Sequence, residues 1–298
     1  MSSVVVREGA RPSRALRHAP LMTWLGLAPF LLFAFAFMLF PAGTLLLGSF
    51  QDARGAFSVG ALERLFRPSI LKSYLLTIEV SAVTAVGGGI FGFLLAYAAA
   101  LGGLPRGVRS FLTTFSGVAS NFAGVPLAFA FIATLGRVGL VTVLLKTLLG
   151  INIYDAGFNL YSFWGLSFTY MYFQLPLMVL IIMPSLDGVR KEWREACQNL
   201  GASHVQYWRH VALPILMPSL LSAVILLFGN AFGAYATAYA LTGGMLDLVP
   251  ILIGAQIRGD VLHDPNLGYA LALGMAVIMT LSIVGSNALQ RRAARWLS

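Results

Sequence analysis

Charge is what this sequence has least of: only 10% of its 298 residues are Asp, Glu, Lys or Arg, while 58% are hydrophobic and the mean hydropathy is +0.81. One water-soluble core cannot absorb that much apolar surface, so a bilayer must be the main solvent. A single cysteine, Cys197, excludes an intramolecular disulfide and any cysteine metal cluster. The four histidines, His18, His204, His210 and His263, fall in expected loops or helix ends, none at metal-binding spacing from a carboxylate or a second histidine. Lysine is confined to Lys72, Lys146 and Lys191, none preceded by glycine, so the Gly-Lys-Ser/Thr loop that cradles nucleotide phosphates is missing. The chain also lacks a Pro-, Gly- or Ser-rich linker, a low-complexity tract and an obvious internal repeat. No nucleophile–base pair or metal constellation for an enzyme is left. If the protein works against a gradient, the energy arrives through a partner or an ion.

What is present is a set of long charge-free stretches. Lys, Arg, Asp and Glu are missing between Arg17 and Asp52, Glu79 and Arg106, Arg109 and Arg137, Asp155 and Asp187, Arg209 and Asp247, and Asp264 and Arg291. The bilayer core is about 30 Å thick and a helix needs roughly 20 mostly apolar residues to cross it. The expected fold is therefore all-α, with six transmembrane helices near 22–50, 70–101, 109–136, 159–186, 211–241 and 268–290. One membrane domain fills residues 1–298, with an N-terminal arm over 1–20. Continuous apolar runs exclude a β-barrel, whose strands alternate. The apolar piece 139–150 is about half a span and carries Lys146, which suits a short interfacial or re-entrant helix on the outer side. The basic arm Arg7 to Arg17 precedes an apolar run too long for a signal peptide, so the first helix is expected to be retained. Glycines inside the spans, notably Gly87, Gly88, Gly89 and Gly92, suit close helix packing.

Basic residues choose the orientation. With both termini inside, the arm, Arg106, Arg109, Arg190, Lys191, Arg194, Arg209 and the tail residues Arg291, Arg292 and Arg295 are cytoplasmic. The outer basic residues are offset by Asp52, Glu63, Asp155, Asp247, Asp260 and Asp264. The net charge of +9 thus sits near anionic headgroups, and membrane lipid rather than nucleic acid is the expected partner.

The inner loop 187–210 is unlike the rest of the chain. Val189, Trp193, Ala196, Cys197 and Leu200 fall at helical spacing on one side, with Arg190, Lys191, Arg194 and Glu195 elsewhere on the wheel. Gly201 can take a left-handed turn at a helix C-terminus, Ser203 and Gln206 form a capping box, and Pro214 and Pro218 mark the start of the fifth span. A helix–turn–helix knuckle is expected.

The motif Glu195-Ala196-Cys197, three residues, Gly201, nine residues, then Val211-Ala212-Leu213-Pro214 is similar to the EAA loop of permease subunits in type I ATP-binding-cassette importers. Cys197 stands where that pattern has its second alanine, a small-for-small exchange. Asn121 with Pro126, Phe173-Gln174-Leu175-Pro176, Pro184 and Leu200-Gly201-Ala202-Ser203 resemble the branch serving polyamines, ferric iron, sulfate, thiamine and phosphonates. The resemblance implies an inner-membrane, non-enzymatic permease whose knuckle, through Glu195, Ala196, Cys197, Gly201, Leu213 and Pro214, couples to an ATPase dimer. It further implies a second permease subunit, the same or related, and a periplasmic or lipid-anchored solute-binding protein. This chain would hold no cofactor, ATP and Mg belonging to the ATPase. An ion-coupled secondary transporter or channel working without an ATPase is the alternative.

Candidate pathway residues are Glu79, Asn121 and Tyr235. Glu79 would lie roughly 13 Å inside a helix starting at residue 70, at about 1.5 Å per residue. A carboxylate at that depth pairs with Lys72 or another outer basic residue, accepts hydrogen bonds from Tyr or Ser on a neighbouring helix, or lines the pathway. The last reading favours a polyamine-like cation over sulfate or phosphonate.

Overall fold

The structure is a computed structural model that describes residues 20–258 and 263–294; the basic arm expected over residues 1–20 falls almost wholly outside them. All regular structure among the described residues is helical, apart from one isolated bridge between Gln51 and Phe57. Six helical stretches are long and apolar enough to cross a membrane: Gly26–Ser49, Pro68–Leu101, Val125–Leu149, Phe163–Asp187, His204–Phe232 and Pro265–Gln290. The chain divides into two compact units, residues 1–47 and 48–298.

The first unit is carried by α1 (Pro20–Ala34) and most of α2 (Phe40–Ser49), joined by a π-helical turn over Phe35–Leu39. The π turn ends two residues before Pro41. Proline removes one i→i−4 hydrogen bond and crowds the carbonyl a turn earlier, and a wider turn relieves that crowding. Phe30, Leu32, Phe37 and Met38 are all more than half exposed, as lipid-facing side chains are in a membrane helix.

The second unit is built on α4 (Pro68–Leu101), which follows the short α3 (Gly60–Arg64) and packs most extensively against α8 (Phe163–Asp187). Small residues permit that approach. Ala85, Gly88, Gly92, Ala96 and Ala99 form a buried row on α4. A β-carbon at Gly88 would fall 2.6 Å from Gln174 Cβ, and one at Gly92 would fall 2.6 Å from Met178 Cβ and 2.7 Å from the Leu175 carbonyl. Close backbone approach is how helices associate in lipid, where burial of apolar surface supplies no net drive. The expected packing role of these glycines is met.

The remaining elements are α5 (Arg106–Asn121), α6 (Val125–Leu135), α7 (Leu140–Leu149), α9 (Lys191–Asn199), α10 (His204–Tyr207), α11 (Leu213–Phe232), α12 (Tyr235–Thr242), α13 (Val249–Arg258) and α14 (Pro265–Ala294). One hydrophobic cluster joins α4, α6, α8 and α12 around Tyr170, Phe173 and Leu127; a second joins α4, α8 and α11 around Met178, Ile182 and Leu216. A third, smaller one holds α13 and α14 to the start of α4, where Tyr74 donates to the Leu271 carbonyl at 2.6 Å.

Two expected spans are not continuous helices. The stretch 109–136 breaks between α5 and α6 at residues 122–124, and 211–241 breaks between α11 and α12 at Gly233 and Ala234. The physical reason is local backbone geometry that neither apolar run reveals. Gly124 has φ +74° and ψ −149°, a conformation open essentially to glycine alone, and Ala234 has ψ +89°, outside the helical range. The apolar run Val125–Leu149 also stops being one helix at Gly136 and Gly139, whose backbones are extended. The short helix expected over 139–150 is α7, closed by Gly150 with φ +67°.

Candidate functional site

The knuckle between the fourth and fifth spans follows its local sequence closely. Arg190 is extended and α9 begins at Lys191, so the loop expected from residue 187 starts at the last residue of α8. At the far end the Gly201 N–H donates to the Gln198 carbonyl at 2.9 Å and the Ala202 N–H to Cys197 at 2.9 Å, with Gly201 at φ +78°. This pair of bonds is the Schellman closure, which needs a left-handed residue where Gly201 stands. Ser203 then caps α10: its N–H donates to Gln206 Oε1 at 2.7 Å and its hydroxyl accepts the Gln206 N–H at 3.3 Å. A second π turn, Trp208–Ala212, precedes Leu213 and Pro214 with the spacing seen before Pro41.

Burial divides the apolar stripe expected on this loop. Val189 is buried and Trp193 partly buried, both against α4, α8 and α11, and Cys197 is half-buried. Trp208 stacks edge-on to Tyr97 of α4, centroids 5.0 Å apart. Ala196 and Leu200, however, are not held to the membrane domain: Leu200 is 87% exposed and Val205, just past the turn, 73%. The stripe expected as one face is therefore split. Its N-terminal half anchors the knuckle and its C-terminal half is left as an apolar tip, because the chain turns at Gly201 before Leu200 can reach the bundle. Glu195 is exposed and makes no ion pair or hydrogen bond among the described residues. Leu213 is 37% exposed and Pro214 partly buried at the base of α11. Beside the knuckle, Arg109 of α5 grips both oxygens of Asp187, the last residue of α8, at 2.5 and 2.6 Å.

A second constellation lies within the spans, where the two helix breaks meet. The Gly124 N–H, freed by the break, donates to the buried hydroxyl of Thr237 on α12 at 2.7 Å. The Ala234 carbonyl, freed by the other break, accepts the hydroxyl of fully buried Tyr170 from α8 at 2.7 Å. One turn along α8, Gln174 Nε2 donates to the Leu227 carbonyl of α11 at 2.8 Å. Backbone groups exposed by a broken membrane helix must find partners inside the protein, and Thr237 and Tyr170 supply them, while Gln174 ties α8 to the body of α11. Asn121 ends α5 and Tyr235 begins α12, so two of the three expected pathway residues flank the junction. Asn121 is exposed and its amide donates to Gly117 O at 2.9 Å. Tyr235 stacks on Tyr239 with centroids 5.4 Å apart, and the Arg258 guanidinium lies 5.3 Å from its ring centroid.

Glu79 is not part of that junction. It sits on the exposed face of α4 with Leu75, Val83 and Val86, and among the described residues it has neither an ion pair nor a hydrogen bond. Pairing with Lys72 and bonding to a hydroxyl donor, two of its three expected explanations, are not realised among the described residues. Thr237, Tyr170 and Gly124 were not singled out from sequence; Gly124 one residue before Val125-Pro126 was the available signal, glycine and N1–N2 proline marking a helix restart.

The comparisons with known proteins agree with this geometry. A 27% identical match over 262 residues, 82% of this chain and 86% of the relative, is a probable sulfate transport system permease protein cysT from Nephroselmis olivacea. The spermidine/putrescine transport system permease protein PotC of Escherichia coli is 27% identical over 130 residues, 44% of this chain and 48% of PotC. In fold the chain is similar to a bacterial ABC transporter involved in the import of alginate, with a TM-score of 0.73, 16% identity, and coverage of 91% of this chain and 95% of that one. Residues 90–298 match the model of the binding-protein-dependent transport system inner membrane component. The match takes in the last third of α4, all of α8, the junction of broken helices and the knuckle, and the chain belongs to that family: it is a multi-pass inner-membrane permease component of an ABC importer.

Proposed function

We propose that this chain forms one half of an ATP-driven import pathway and that its knuckle is the seat of the ATPase. The observation that carries this reading is the rigid turn at Gly201 holding Leu200 and Val205 out as an apolar tip while Val189, Trp193 and Trp208 root the same element in the core. An exposed apolar pair on a capped, braced turn is suited to insertion into a partner's cleft. Movement of that cleft would be transmitted through α9, α10 and the π turn into α11, and through Asp187 into α8 and α5. ATP and Mg would reside on the ATPase, and a periplasmic or lipid-anchored binding protein would deliver solute. A second permease, the same or related, would complete the pathway, with both termini cytoplasmic.

For the solute we infer a small cation of the polyamine kind. Glu79 is a carboxylate on an exposed apolar helix face about 16 Å from the start of α4, at about 1.5 Å per residue. Such a group requires a compensating charge or water, and a cation in the pathway supplies it. An ion-coupled transporter without an ATPase would have to run on this same carboxylate, and it leaves the knuckle without a purpose.

The ATPase contact is tested by cross-linking. Cys197 is the one cysteine, so Cys197→Ser with Val205→Cys carries a single thiol at the tip. A photoactivatable maleimide there should join the permease to the co-purifying ATPase, and the same probe at Val138, 91% exposed beyond α6, should not. Equal labelling from both positions, or none from the tip, contradicts the proposal.

A further inference from the structure

At the root of the knuckle, away from its exposed tip, a cavity of about 320 Å³ opens between the start of α9 and the end of α4. Arg190, Lys191 and Arg194 line it, against a single carboxylate, Glu195. None of the three cations forms an ion pair among the described residues. Its aromatic wall comes from Tyr97, Trp208 and Tyr207. Tyr207 is only 6% exposed, yet its hydroxyl makes no hydrogen bond among the described residues. The first turn of α9 adds backbone N–H groups, because Arg190 at its N-cap offers no side-chain acceptor.

We propose that this cavity holds the phosphate of an anionic phospholipid from the leaflet on the knuckle's side. The donor set is that of an oxyanion site: guanidinium and ammonium groups, a phenol hydroxyl and an uncapped helix N-terminus converge on one space. A lipid, rather than a free anion, follows from the surroundings. Tyr97, Ala100 and Leu101 belong to the last turns of the second membrane-crossing helix, and Trp208 lies in the first turns of the fifth, so the cavity lies where headgroups lie. Basic pockets between spans at that level select anionic headgroups, and tyrosine and tryptophan favour the same depth. The lipid would brace α9 against α4 from beneath while the tip faces the ATPase, making coupling sensitive to bilayer charge.

The test is native mass spectrometry of the full-length chain purified in detergent and titrated separately with phosphatidylglycerol, phosphatidylcholine and inorganic phosphate. Phosphatidylglycerol should be retained on the order of tenfold better than phosphatidylcholine. R190Q/R194Q should abolish that preference, Y207F should weaken it, and R106Q, which removes a basic residue at the start of α5 outside the cavity, should leave it intact. Y207F keeps the test open if the double variant fails to fold. Equal retention of the two lipids, or a preference unchanged in R190Q/R194Q and Y207F, overturns the proposal. So does displacement of phosphatidylglycerol by an equal concentration of inorganic phosphate, since the cavity would then be a site for the free anion.

Discussion

Glu79 and Asp264 show how differently two carboxylates fare on one membrane protein. Glu79 has no partner among the described residues, and the cation proposed for it is open to direct test. Glu79→Gln keeps shape and removes charge, so uptake of spermidine by reconstituted transporter should fall on the order of tenfold or more while assembly and basal ATP hydrolysis persist. Undiminished spermidine uptake, or sulfate uptake by the wild type, ends the cation reading. Asp264, by contrast, is held by Arg64 of α3 and accepts the Leu267 N–H at 3.1 Å at the start of α14. Burial raises its pKa, but the Arg64 hydrogen bond and the backbone donors of Leu267 and Asn266 outweigh that and lower it overall. A lowered folded-state pKa means stability that is full above the unfolded value near about pH 4 and is lost as pH falls through the folded value. Thermal denaturation in detergent should therefore show wild type losing stability below about pH 4 more steeply than Asp264→Asn, by a surface-pair amount of about 0–1 kcal/mol. Parallel profiles for the two proteins would contradict it.

Among the elements, the knuckle was legible in the sequence and the broken spans were not. Gly201, the Ser203–Gln206 box and Pro214 act on their own neighbours within a turn, so their spacing alone set the geometry that α9 and α10 adopt. The breaks depend instead on partners far along the chain: Gly124 is 113 residues from Thr237, and Tyr170 is 64 from Ala234. An apolar run is equally consistent with a straight span, and glycine in lipid more often signals packing, as it does at Gly88 and Gly92. The split of the stripe between Trp193 and Leu200 was not legible for a related reason, since periodicity cannot show where a turn carries a side chain off the bundle. The junction makes its own prediction. Thr237→Val leaves the Gly124 N–H without its acceptor, at a cost of about 1–3 kcal/mol. The melting temperature should drop and transport fall, with both restored by Thr237→Ser; a Thr237→Val variant as stable and active as wild type would show that the junction does not need the bond.

On the scale of the whole molecule, the arrangement joins a tip outside the bilayer to broken helices inside it. The tip is continuous through α10 and the π turn with α11, and α11 ends at the break whose carbonyl Tyr170 holds. The other arm is α8, which carries Tyr170 and Gln174 at the junction and ends at Asp187 beside the knuckle. Both levers therefore run from the tip to the junction, and a displacement of one end is felt at the other. The most direct test is simultaneous measurement of solute uptake and ATP hydrolysis in proteoliposomes containing the complete transporter, comparing wild type with Gly201→Asp. A β-carbon in the left-handed turn costs about 1–2 kcal/mol and reshapes the tip without touching the spans. The account requires Gly201→Asp to insert and assemble normally, to lose uptake, and to hydrolyse ATP at a rate no longer raised by solute-loaded binding protein; uptake and stimulated hydrolysis at wild-type levels would contradict it.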